Sequence, residues 1–402
     1  MDRQEFSSLV SLALDSIGYK FETVKQRQTS DLSYLFPFVN NFARGMVAGS
    51  TAEGISQPYS RDSDIDIMTV LTNMIIYENL PDTKSFKKGD YVLQMERDKV
   101  APGYTMIKCI GMKSRNMPYI SQIAKLKNIK LFEKDGCYFL RHCCDVHNFT
   151  DLRNSQTYSQ TKRRRNGDHE NFEMHSSGPA FNVNCETSKS KLKLNFDYVT
   201  AIPCFCLSHI QNWTHRTRHY GWPDKKLTSK LKNEIGYVVP VGFKGSRNFE
   251  LEWRICYTGI EINLIHSLNE TQIKMCVLLK MVAKAILKPV CKDITSYVIK
   301  NLVLWIVERN ANEIFTPENL TSLVMLGLRS LRNKVNLRLF GSYMIPERNL
   351  FAGKITENEK AEMVRLLDEM LEEGPMFLIK FKELNVLNKA INETMNKPLL
   401  AK

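Results

Sequence analysis

No run in this 402-residue chain is long and apolar enough to cross a bilayer. Its most apolar segments, CVLLKMVAKAIL and NLVLWIVE, are short and broken by charge. The opening MDRQEFSSLVSLALDSIGYK lacks the charged-then-apolar layout of a signal peptide. The 10 cysteines follow no framework spacing, which excludes a disulfide-stapled class and fits a reducing compartment. No membrane partner and a cytoplasmic location are therefore expected. Internal repeats of solenoid period are absent. Disorder as a class is excluded by 43% hydrophobic residues, enough for a sizeable core. Acid is also in short supply: 43 Asp and Glu face 56 Lys and Arg, a formal charge of +13. Such an excess favours a polyanionic partner, with a merely basic soluble protein as the plainer reading.

What is present concentrates in residues 47–70, VAGSTAEGISQPYSRDSDIDIMTV. Gly49-Ser50 follows an apolar approach, and Asp64 and Asp66 stand two residues apart among Ile65, Ile67, Met68 and Val70. In a strand, residues two apart share a face. Two carboxylates aimed together from an apolar strand call for something positive between them, and hard divalent cations with oxygen ligands are the natural candidates. Gly49 lets the backbone approach a phosphate, and the Ser50 hydroxyl can hydrogen-bond its oxygens. An isolated D-x-D is more often a solvated strand end. Placed after a strand and a Gly-Ser turn, it reads as a nucleotidyl-transfer site.

Further along, Leu192, Leu194 and Phe196 alternate with Lys191, Lys193 and Asn195, so Asp197 falls on the polar side of a predicted strand. Alone it would be uninformative; beside the pair at 64 and 66 it supplies the third acid that a two-metal site needs. The cluster His142, Cys143, Cys144 and His147 is a weaker metal candidate. Zinc ligands usually come in separated pairs, and adjacent cysteines in a strand-like run point to opposite faces.

Two regions are expected, residues 1–205 and 206–402. Residues 5–14 open an amphipathic helix, followed by Lys20, Lys25 and Arg27 on a candidate basic edge. Short apolar runs of strand length fill 45–110. Residues 150–192 read as the least ordered stretch, with the block Lys162 to Arg165 as a mobile loop or a phosphate contact. Beyond 206 the pattern is mainly helical, with one strand at LEWRICYT and helices predicted over 269–287, 293–308, 316–331 and 357–373. Tyr297 and Trp305 read as ordinary core aromatics on this pattern alone.

The runs GSTAEGI, SDIDIM, FDYV, EWRICYTGIE, CVLLK, DITSYVIK and SYMIPERNLF, in that order, resemble the Mab-type nucleotidyltransferases, the family of cyclic GMP-AMP synthase and the animal cyclic GMP-AMP synthase-like receptors. The similarity runs from about residue 40 to 380. It implies an α+β, bilobal fold: a polymerase-beta-like mixed sheet with an N-terminal spine helix over 1–205, and a C-terminal mainly helical lobe over 206–402. It also implies an enzyme switched on by double-stranded nucleic acid along the N-terminal helix, with ligand-induced dimerisation. Carried over, Asp64, Asp66 and Asp197 match the catalytic acids that hold Mg2+, with Mn2+ as the alternative ion. Gly49 and Ser50 match the phosphate turn. Lys280 and Ser296 match donor triphosphate contacts, Tyr297 the base-stacking tyrosine, and Arg254 and Glu261 the acceptor pocket.

Two departures qualify the match. Cyclic GMP-AMP synthase has a zinc-binding insertion just before the helix that here holds Lys280, and this chain runs from SLNETQ straight into KMCVLL. No structural zinc is then expected, and the expected trigger moves from double-stranded DNA to double-stranded RNA, read by backbone and shape. Cys256 and Thr258 stand where the synthase has serines, so the choice between ATP, GTP and other nucleoside triphosphates cannot be copied. The leading expectation is a cyclic dinucleotide synthase of innate immunity making a second messenger like cyclic GMP-AMP. Its competitors are an inactive Mab-type nucleic-acid or protein binding factor and a templateless polymerase that makes linear products.

Overall fold

Thirteen strands are present among the described residues of the computed structural model, which covers 2–30, 32, 43–56, 64–72, 74–80, 91–112, 130–141, 157–163, 169–177, 180–187 and 193–396. In chain order they are β1 (Ala43–Val47), β2 (Asp64–Leu71), β3 (Met74–Tyr77), β4 (Tyr91–Glu96), β5 (Tyr104–Met112), β6 (Lys130–Lys134), β7 (Cys137–Arg141), β8 (Thr157–Arg163), β9 (His169–Ser177), β10 (Ala180–Thr187), β11 (Lys193–Phe205), β12 (Gly236–Val239) and β13 (Glu252–Cys256). The strands β8, β9 and β10 pair antiparallel in sequence and extend the sheet from β11. Over residues 157–163, 169–177 and 180–187 they correct the reading of 150–192 as the least ordered stretch. Their sequences are polar and gain order from ladder hydrogen bonds, on both sides for β9 and β10 and on one side for β8, a pairing contribution that composition does not report. Lys162 and Arg163 end β8, while Arg164 and Arg165 lie outside the described residues, as do His142, Cys143, Cys144 and His147. Strand β12, all four residues buried, is a second strand beyond 206 where one was expected.

The 13-residue β11 organises the sheet. Its first half runs parallel to β2 and antiparallel to β10, and its second half runs parallel to β3 and antiparallel to β12. Mixed parallel and antiparallel pairing beside separate helices gives the α+β class. One face carries the cluster Ala48, Met68, Val70, Ala201, Tyr237 and Val239, with Met46, Val199, Val241 and Cys256 packed against it. Period two then places Asp66 and Asp64 on the continuation of that face past Met68, and Asp197 past Val199.

The chain divides into two compact units, one of residues 1–29, 212–232 and 263–402, the other of 30–211 and 233–262. All thirteen strands belong to the second. The first is helical. Its opening helix α1 (Arg3–Leu14) starts on a capping box between Asp2 and Glu5 and turns at Gly18, φ 95°, into α2 (Phe21–Thr29). Buried contacts fix α1 to the rest of its unit. The Ser7 hydroxyl meets Thr321 Oγ1 at 2.5 Å, and Lys274, 1% exposed, donates to Glu270 at 2.6 Å and Ser11 Oγ at 2.9 Å and forms an ion pair with Asp15 at 2.7 Å. The helices Glu270–Val282 and Glu357–Glu373 begin on capping boxes at Asn269 and Thr356.

Candidate active site

The site begins where β1 ends. Strand β1 pairs antiparallel with β2, Val47 opposite Ile67, and the Ala48 amide donates to the Asp66 carbonyl at 2.8 Å. That bond delivers the next residue, Gly49, against the Asp66 side chain. A β-carbon on Gly49 would stand 1.9 Å from Asp66 Oδ2, and the residue sits at φ +60°, so both the close approach and the backbone demand glycine. Gly49 opens the single turn α3 (Gly49–Ala52), closed by the Glu53 amide on the Gly49 carbonyl at 3.2 Å and the Ile55 amide on the Ser50 carbonyl at 3.0 Å.

Across the parallel β2–β11 pair, Asp66 stands in register with Asp197, and Asp64 with Asn195. In-register neighbours of adjacent strands project to one side of the sheet, about 4.8 Å apart. The three acids therefore share a face. Asp64 and Asp66 are exposed and Asp197 is half-buried. On the far side of β11, Asn182 of β10 faces Asp197 and donates its amide to Asp197 Oδ1. Asn182 was not singled out from sequence. Its signal is the alternation of Asn182 and Asn184 about the buried Val183, which becomes readable once the β10–β11 register is known.

Does this arrangement fit a divalent ion? The donor set is all oxygen, the preference of a hard cation. The Gly49 cradle leaves no room for a side chain beside Asp66 Oδ2, and Asn182 Oδ1 is enclosed without a hydrogen-bond partner. As they stand, no three His, Cys, Asp or Glu side chains among the described residues close on one point. Strand placement and donor chemistry thus fit the group.

Arg254 reaches the same face by another route. It pairs with Val239 of β12, a member of the apolar cluster beneath the acids, and Cys256 two residues on packs on that cluster too. At the opposite edge, Arg44 of β1 hydrogen-bonds the Tyr237 phenol, which burial raises above its ordinary value against the pull of Arg44. Glu261 lies half-buried in the first turn of the helix Thr258–His266 that follows β13.

Lys280, Ser296 and Tyr297 belong to the helical unit. Lys280 is half-buried in the last turn of Glu270–Val282, and exposed Ser296 starts the helix Ser296–Glu308. The Tyr297 ring has Lys300 Nζ and Arg348 Cζ each 5.8 Å from its centroid, and its carbonyl accepts from Asn301 at 2.8 Å. On the candidate basic edge only Lys20 is exposed, beside Glu22 at 3.7 Å. Lys25 donates to the His266 carbonyl at 2.5 Å, and burial draws its ammonium below the ordinary lysine value. Arg27 is half-buried with Nη1 enclosed.

The sequence matches the Mab-21 protein nucleotidyltransferase domain over residues 140–267 and the Mab-21 protein HhH/H2TH-like domain over residues 271–369. The chain belongs to the Mab-21 family. No curated protein matches it. Membership supports a nucleotidyltransferase of polymerase-beta-like fold with nucleoside triphosphates as substrates, a class of enzyme that typically uses a divalent metal. The matched stretches contain Asp197, Arg254, Glu261, Lys280, Ser296 and Tyr297. Gly49, Ser50, Asp64 and Asp66 precede them, so in this Mab-21 member the first half of the site rests on the β1–β2–β11 geometry. No described helix is long and apolar enough to cross a membrane.

Proposed function

We propose that this Mab-21 protein is a nucleic-acid-activated cyclic dinucleotide synthase, making a second messenger like cyclic GMP-AMP in innate immune signalling. The observation that carries the reading is the in-register pair Asp66 and Asp197 beside a glycine that admits no β-carbon. A pseudoenzyme has no need to keep three acids on one sheet face next to a phosphate-type turn. Mg2+, held by Asp64, Asp66 and Asp197, would supply the charge that activates a ribose hydroxyl and neutralises the leaving pyrophosphate.

The protein groups divide the remaining work. The Ser50 hydroxyl and the turn amides hold donor phosphate oxygens. Asp197 stands ready to take the proton of the attacking hydroxyl. Tyr297 offers a ring face for the donor base, worth about 1–3 kcal/mol by comparison with base stacking on aromatics in single-strand binders. Lys280 and Ser296 are assigned to the triphosphate, and Arg254 and Glu261 to the acceptor nucleotide. The +13 charge and exposed Lys20 favour a duplex activator, with double-stranded RNA ahead of DNA for want of the zinc insertion.

The test is direct. Purified protein is incubated with the four labelled ribonucleoside triphosphates and Mg2+, with double-stranded RNA, double-stranded DNA or neither, and products are resolved after phosphatase treatment. A phosphatase-resistant product that appears with RNA is expected. Linear products would identify a templateless polymerase, and no product under any condition would leave a binding factor.

A further inference from the structure

We infer that Asn182 is a positioning residue for the metal-binding face: its amide fixes the orientation in which the Asp197 carboxylate meets a divalent cation. This rests on the reading of Asp197 as a metal-binding acid. Three observations carry it. Asn182 stands directly opposite Asp197 in the β10–β11 ladder, so the pair is set by backbone register and not by a chance side-chain encounter. The amide nitrogen donates to Asp197 Oδ1. An ionised carboxylate is an acceptor only, so the amide must turn its nitrogen toward Asp197. Asn182 Oδ1 is meanwhile enclosed and accepts no hydrogen bond, so no other contact at that atom selects this orientation.

The residue type matters as much as the contact. Lysine or arginine at 182 would also hold the carboxylate, but would cancel its charge and compete with the cation. A neutral amide orients Asp197 and leaves the charge intact. The transverse row thus reads Gly49, Asp66, Asp197, Asn182, with a close-approach glycine at one end and a neutral donor at the other.

The experiment uses the full chain and Mn2+ as the probe, with bound and free ion distinguished by electron paramagnetic resonance, with and without nucleoside triphosphate. Asn182→Ala should weaken Mn2+ binding about tenfold, the lower end for loss of a group that orients a ligand. Asn182→Thr, which keeps a donor, should retain most of the affinity, and Asp197→Asn sets the floor. In turnover assays the Mg2+ concentration for half-maximal rate should rise in Asn182→Ala while the rate at saturating Mg2+ falls less. Thermal melting without metal reports whether the fold is kept, and Asn182→Thr carries the comparison if the alanine variant melts early. Wild-type Mn2+ affinity in a folded Asn182→Ala protein would overturn the inference, as would wild-type protein that binds no Mn2+. If Mn2+ binding responds as expected but no nucleotide product forms, the synthase reading fails and the positioning role stands.

Discussion

Gly49 and Asp66 are packed so closely that a single added carbon at residue 49 would collide with the Asp66 carboxylate, 1.9 Å from Oδ2 and 2.9 Å from Cγ. Two links meet here. The Ala48-to-Asp66 backbone bond fixes the distance, and the positive φ of Gly49 turns the chain away into α3. Gly49→Ala should therefore displace Asp66 and strain the turn together. Misplacement on the order of 1 Å can cost a catalytic site about 100-fold. Nucleotide turnover in Gly49→Ala is expected to fall by about that factor while duplex binding is kept, measured by product formation and by a binding isotherm on the same preparation.

How much of this was readable beforehand differs from residue to residue. Asp64 and Asp66 announced themselves, because period two converts their spacing directly into a shared face. Asp197 was legible as the polar position of an alternating strand, but its partner across the ladder was not, since register is a relation between strands. The helix Glu357–Glu373 matched its predicted span because the capping box at Thr356 is a local signal. The strands β8 to β10 were missed for the opposite reason: their residues are polar, and what orders them is pairing with the adjacent strand, a relation that no single segment displays. Lys25 shows a third case. Its charge is plain in the sequence, yet nothing local says that its ammonium turns inward to the His266 carbonyl.

Removing an acid from the paired positions should be more severe than disturbing the turn. Asp66→Asn and Asp197→Asn each keep shape and lose the negative charge that holds a divalent ion. Several kcal/mol of transition-state stabilisation are at stake, about 1000-fold or more in rate. Initial rates across a Mg2+ titration check this. A variant restored to the wild-type rate by high Mg2+ would show that its residue only tunes ion affinity.

The ion cluster at Lys274 gives a stability prediction with contrasting arms. The ammonium is 1% exposed, while Asp15 and Glu270 are 26% and 43% exposed. Lys274→Met removes the buried charge and keeps much of the volume, so the change in unfolding free energy should stay within about 1–2 kcal/mol. The double change Asp15→Asn with Glu270→Gln leaves the buried ammonium without a counter-charge and should cost about 3–5 kcal/mol. Chemical denaturation of both variants compares them. Equal losses would show that the pairs contribute packing alone.

Glu78 gives the pH prediction. Burial by itself would raise its carboxyl, but the hydrogen bonds from the Ser208 hydroxyl and from the Ser208 amide at 3.0 Å, together with the Arg97 and His209 charges, outweigh burial and hold it below the ordinary carboxylate value. A depressed folded-state value means that the charged form is favoured by folding. The stability it contributes is fully present above the unfolded value near 4.5 and is lost as pH falls through the lower folded value. Melting temperature should accordingly drop less steeply below pH 4.5 in Glu78→Gln than in the wild type, with the two curves running parallel above pH 6. Arg97→Met should show an intermediate slope, because Ser208 still donates to the carboxylate. Curves that stay parallel through the acid range would mean that Glu78 titrates alike in the folded and unfolded chains.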